Sequence, residues 1–129
     1  MFNILICEDD HSVLKVTGRI LTLEGFRVTE AETGSAALEA LYRPAKPDLL
    51  VTDLILPPPM SGIQLATRAK ALNRDFPIIV MTGYAHNQFT PESDFLRSLV
   101  FLQKPVAREK LLQAVHSLLN RPNPDRDTA

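Results

Sequence analysis

Short apolar runs alternate with longer amphipathic stretches along the whole chain. Five runs read as strands: Ile4 to Cys7, Phe26 to Ala31, Leu49 to Thr52, Ile78 to Met81 and Leu99 to Leu102. Four of these are continuous or nearly so, the pattern of strands covered by helices on both faces of a parallel sheet. The second, Phe26-Arg27-Val28-Thr29-Glu30-Ala31, alternates instead, which places it at a sheet edge.

Between the strands, helical spacing recurs, as with Val13, Val16, Ile20 and Leu23 in the first interval and Leu111, Val115 and Leu118 in the last. The punctuation agrees with this division. Gly25 follows the first helix, Pro44 and Pro47 follow the second, and Ser61 with Gln64 forms a capping box that opens the third. Five βα units result. Right-handed crossovers then favour an α/β fold, a doubly wound five-stranded parallel sheet in the flavodoxin-like order 2-1-3-4-5, with the second strand at the edge. One domain over 1–120 is expected, followed by a polar tail, 121–129, that carries two prolines and no apolar periodicity. The tail is read as disordered, with no output domain after it.

Composition narrows the function classes. The charged fraction is 22% and the formal net charge is -1, so no basic field points to direct nucleic-acid binding. No apolar run approaches a membrane span, and Glu8, Asp9 and Asp10 interrupt the first apolar stretch where a signal peptide would continue. With one cysteine, Cys7, no internal disulfide can form, and a cytoplasmic location is expected. Cys7 is read as inert packing, and His11, His86 and His116 show no metal-ligand spacing.

The chemistry gathers at strand ends. In an open α/β sheet, ligands bind outside the carboxyl ends of the strands at the topological switch point, here between the first and third strands. Glu8, Asp9 and Asp10 end the first strand, Asp53 the third and Thr82 the fourth, and Lys104 follows the fifth. Carboxylates so close repel one another unless a cation neutralises them, and a hard divalent ion such as Mg²⁺ suits oxygen donors. Asp10 is better read as the N-cap of the first helix, which leaves the metal role to Asp9.

With these residues in place, the chain resembles the receiver domain of two-component response regulators over about residues 2 to 120. The segments NILICEDD, VTDLILP, PIIVMTG and FLQKP occur in the family's order and near its spacing. The resemblance implies a phosphorelay role, with a phosphoryl group passing from a histidine kinase or histidine phosphotransfer protein to Asp53. It also implies that Asp9, Asp53 and the Ile55 backbone carbonyl hold Mg²⁺, with Glu8 acting mostly through water. Thr82 would donate its hydroxyl to the phosphoryl group and Lys104 would pair with it. Pro105 would follow through a cis peptide bond that aims Lys104 inward. Phe101 sits at the family's aromatic switch position and reads equally as a core residue. Such a protein is no enzyme in the turnover sense, and its output is a changed surface for a downstream protein that the sequence does not name.

Two departures stand out. The run Pro57-Pro58-Pro59-Met60-Ser61-Gly62 is one residue longer than the family's usual loop, which stiffens the segment just past Ile55. In the fourth interval, GYAHNQF is a poor helix, whereas Thr90, Pro91, Glu92, Ser93 and Asp94 predict an N-cap and an acidic first turn of a short helix of about two turns beginning near Pro91. Tyr84, two residues past Thr82, is expected to overhang the phosphoryl group. An Asp-nucleophile phosphatase would carry a second acid where Ile55 stands, and a flavin-binding loop would not be acidic. The remaining alternative is a degenerate receiver acting as a phosphorylation-independent interaction module.

Overall fold

The computed structural model describes residues 1–83 and 93–120. The expectations for the tail, Tyr84, His86, Thr90 and Pro91 lie outside the described residues.

Five strands, β1 (Asn3–Cys7), β2 (Arg27–Ala31), β3 (Leu49–Asp53), β4 (Ile78–Thr82) and β5 (Val100–Gln103), pair in parallel in the order β2-β1-β3-β4-β5. This is the predicted topology, with β2 at an edge. The third and fourth strands run one residue past their apolar runs because the ladder continues: Asp53 pairs with Met81, and Thr82 with Gln103. The strands are joined by α1 (His11–Leu23), α2 (Gly34–Leu41), α3 (Gly62–Leu72), α4 (Asp94–Arg97) and, after β5, α5 (Arg108–Leu119).

Successive side chains of a strand point to opposite faces, so a fully buried strand feeds two cores. Ile4, Ile6, Leu49, Val51, Ile79 and Met81 meet Leu14 and Leu21 of α1 and Leu111, Leu112 and Val115 of α5. On the other face Leu5, Cys7, Leu50, Ile78 and Val80 meet Ala37, Ala40 and Leu41 of α2 and Leu65, Ala66 and Ala69 of α3. The alanines on this second face let α2 and α3 lie close to the sheet.

Helix ends follow their local chemistry. Asp10 caps α1 by accepting from the amides of Ser12 and Val13, and Gly25 takes a positive φ of 102° just after the helix. Ser61 and Gln64 form the predicted capping box of α3.

The stripe that signals α1 lies only partly on its buried face, where Ile20 packs against the core. Val16 is 60% and Leu23 68% exposed, while Leu14, Thr17, Gly18 and Leu21 face the sheet. The inward face contains a glycine whose open side is filled by the end of the Glu30 side chain from β2. A β-carbon on Gly18 would sit 2.7 Å from Glu30 Oε2, and Lys15 pairs with that same carboxylate at 2.6 Å. The fourth helix is also shorter and begins later than predicted, with four residues capped by Ser93 accepting from the Leu96 amide at 3.1 Å. Phe95 and Leu96 pack onto the α2/α3 core, and the chain must extend again by Val100 to enter β5, which leaves room for about one turn.

Candidate functional site

The rim at the carboxyl ends of β1, β3, β4 and β5 is built by hydrogen bonds that carry the ladder one residue past β1, β3 and β5. The Glu8 amide donates to Ala31 O at 3.0 Å, the Leu54 amide to Met81 O at 2.8 Å, and the Lys104 amide to Thr82 O at 2.7 Å. These fix the backbone on which the functional side chains sit. Strand parity then aims them: Glu8 continues the face of Ile4 and Ile6, and Asp53 that of Leu49 and Val51, so both carboxylates turn to the same side of the sheet.

Glu8, Asp9 and Asp53 place one carboxylate oxygen each within 4.8 Å of one another, a group able to hold a hard divalent cation. Asp9 is exposed and Asp53 nearly buried, while Glu8 is fully buried at 0% exposure. The Lys104 ammonium joins two of them, 2.6 Å from Glu8 Oε1 and 2.8 Å from Asp53 Oδ2. The other Asp53 oxygen, Oδ1, accepts from the Ile55 amide at 3.3 Å. Asp53 is thus held from both ends of its carboxylate.

The electrostatics follow from burial and crowding. Burial pushes the Glu8 carboxyl up to about 7, against the pull of Lys104 and with the help of Asp53 beside it. For Lys104 burial alone would lower the ammonium, but the hydrogen bonds to Asp53 and Glu8 outweigh it and the group stays firmly charged above its ordinary value. Burial pushes the Cys7 thiol, just below the site, up to about 12.

Thr82 ends β4 with its side chain buried, and Phe101 is half-buried against the α2/α3 core two register positions away, opposite Val80. The Lys104–Pro105 peptide is cis, and so is Pro58–Pro59 in the long loop, which sequence reading did not single out. Ile55 carries an exposed side chain beside Asp53. Sequence reasoning also passed over the contacts of Thr52, whose hydroxyl donates to the Asp53 carbonyl at 3.0 Å, and of Gly62, which lies against that same carbonyl. Gly62 entered the sequence reading only as the glycine that ends the lengthened loop, with no role at Asp53 given to it.

The arrangement combines a carboxylate fixed in orientation, a lysine ammonium in contact with it and an acidic group able to hold a cation. A phosphoryl group is the ligand such a set suits. Among the described residues, no helix is long and apolar enough to cross a membrane.

Comparison with known proteins agrees with this geometry. The family model described as response regulator receiver domain matches residues 4–116. The chain is 34% identical over 119 residues to the response regulator receiver protein CpdR of Brucella abortus (strain 2308), covering 92% of this chain and 98% of that protein. It is 32% identical over 125 residues to the transcriptional regulatory protein GlrR of Escherichia coli (strain K12), of whose length it spans 28%. A solved response regulator receiver protein from Sinorhizobium medicae WSM419 superposes with a TM-score of 0.80 at 31% identity, covering 93% of this chain and 95% of that one. A sheet in the order 2-1-3-4-5, an acidic rim and a match along most of the chain lead to one conclusion: this chain belongs to the response regulator receiver domains of two-component systems.

Proposed function

We propose that this receiver domain accepts a phosphoryl group on Asp53 from the phosphohistidine of a histidine kinase or histidine phosphotransfer protein, and that the modified domain presents a changed surface to a downstream protein. The observation that carries the reading is the Asp53 carboxylate held between the Lys104 ammonium and the Ile55 amide beside a three-carboxylate group.

In the proposed step an Asp53 oxygen attacks phosphorus in line. The bond between phosphorus and the donor imidazole nitrogen breaks, and that nitrogen leaves with the electron pair and takes up a proton. The product is an acyl phosphate. Lys104, already 2.8 Å from the carboxylate, offers its charge to the phosphoryl oxygens, and the Thr82 hydroxyl donates to them. Withdrawal of Thr82 toward the phosphoryl group would free space into which Phe101 turns.

All the donors in the acidic group are hard oxygens, which fits Mg²⁺. Asp9, Asp53 and the Ile55 carbonyl would hold it, with Glu8 acting through water and Lys104. When bound, Mg²⁺ supplies positive charge that offsets carboxylate repulsion and the charge of the transferring group. At about one hundred times its dissociation constant it should stabilise the fold by about 2.7 kcal/mol. That corresponds to a rise of roughly 10 °C in melting temperature for a domain of this size. Asp9→Ala should melt no lower than wild type in chelator, since Asp9 is exposed among like charges, yet lose most of the Mg²⁺ shift. An undiminished shift in that variant would contradict the assignment.

The reading is tested by incubating the chain with acetyl phosphate and Mg²⁺ and measuring intact mass. One phosphoryl group should be gained and then released by hydroxylamine, as expected of an acyl phosphate. No gain would support instead a phosphorylation-independent interaction module.

A further inference from the structure

The contact between α3 and the end of β3 is closer than side chains allow. A β-carbon built on Gly62 would lie 1.9 Å from the Asp53 carbonyl oxygen, and 2.9 Å from both the Asp53 carbonyl carbon and the Leu54 carbonyl oxygen. These neighbours are backbone, held by their own hydrogen bonds, and cannot swing aside as a side-chain tip can. The Asp53 carbonyl accepts from the buried Thr52 hydroxyl at 3.0 Å, and the next amide, Leu54, is tied to β4 at 2.8 Å. From the other side the Gly62 amide donates to Leu54 O at 3.0 Å and closes the Leu54–Gly62 loop.

Conformational freedom does not explain this glycine, because Gly25 has the only positive φ among the described residues. What position 62 requires is the absence of a side chain. The loop so closed contains Ile55, whose amide holds Asp53 Oδ1, and the triple-proline run that lengthens it. Its far end is seated in the same manner, since a β-carbon on Gly34 at the start of α2 would lie 2.8 Å from Met60 Cβ.

We propose that Gly62 is a positioning residue for the phosphoacceptor: its bare α-carbon lets the start of α3 abut the Asp53 peptide and sets where the carboxylate and the Ile55 amide stand. The proposal rests on the reading of Asp53 as phosphoacceptor. A methyl group at position 62 must push the Asp53 peptide off its place or lift α3 and the loop with it, and either movement misaligns an in-line attack.

The test compares Gly62→Ala with Ser61→Ala, which loses the helix cap but adds no contact to Asp53. Initial phosphorylation is followed with acetyl phosphate and Mg²⁺ at a temperature well below either melting point. Gly62→Ala should lose about 100-fold in maximal rate, the order expected for an ångström-scale misplacement, with little change in donor KM. Ser61→Ala should melt lower yet keep the wild-type rate. A wild-type rate in folded Gly62→Ala overturns the proposal. If that variant does not fold, position 62 serves the fold as a whole and the positioning proposal is overturned. Should wild type itself take up no phosphoryl group, the phosphoacceptor reading fails separately. The positioning claim is then decided by a crystal structure of Gly62→Ala, in which an unshifted Asp53 carboxylate refutes it.

Discussion

An Asp53→Asn variant is expected to take up no phosphoryl group under conditions that load the wild-type chain, while keeping its fold. The amide has the shape of the carboxylate, so the buried end of β3 and its pairing with Met81 are undisturbed. What disappears is the anionic oxygen that attacks phosphorus. Stability should change little, because two effects oppose each other. The Lys104 ammonium loses one charged partner but keeps Glu8 at 2.6 Å. At the same time Glu8 loses a neighbouring charge that helps hold its proton, and its pKa should fall back toward the ordinary carboxyl range. Intact mass and thermal melting measure both halves. Uptake at the wild-type rate would place the acceptor elsewhere.

Lys104→Ala should cost more in rate than in stability. Removing one preorganised donor aimed at developing charge typically costs about 10²–10³-fold, and that loss is expected in the initial rate with acetyl phosphate. Breaking a buried ion pair by deleting one partner typically destabilises by about 3–5 kcal/mol. The loss here should be nearer 2 kcal/mol, the scale of a hydrogen bond to a charged group. The side chain of Lys104 remains 26% exposed, and Glu8, already raised to about 7, can take up a proton when its cation is gone. Lys104→Arg should not restore the rate, because a planar guanidinium cannot occupy the point between two carboxylates that a compact ammonium fills. Full activity in Lys104→Ala would remove Lys104 from the mechanism, and full activity in Lys104→Arg would show that any cation at that point suffices.

The strands and their order were legible because the inner strands, buried on both faces, are written as apolar runs while the edge strand β2 alternates. The polar rim was legible for the same reason: Glu8, Asp53 and Thr82 stand where those runs stop. The inner face of α1 was not. Its stripe of Val13, Val16, Ile20 and Leu23 has helical spacing, but the sheet is met by Leu14, Thr17, Gly18 and Leu21. Hydrophobic periodicity rewards large apolar residues, whereas the inner face of α1 also uses the small and polar Gly18 and Thr17, which such a pattern does not register. Gly62 was visible as the end of the lengthened loop, but its closeness to Asp53 was not, since that contact is made by the absence of a side chain. The cap of α4 fell at Ser93 because Phe95 and Leu96 must reach the core before the chain extends into β5, a constraint set by distance along the sheet. Local propensity near Pro91 does not record it.

Cys7, the only cysteine, lies in the central region of the sheet with β2 on one side and β3 on the other, and its sulfur donates to the Thr33 carbonyl at 3.3 Å. A thiol so buried, with a pKa near 12, has almost no thiolate to offer a reagent at neutral pH while the sheet is closed. Alkylation therefore waits on separation of the central strands, and its rate becomes an intrinsic clock for global opening. Because that clock needs no dye, tag or engineered label, anything that tightens the rim a residue away from it will register as slower ticking.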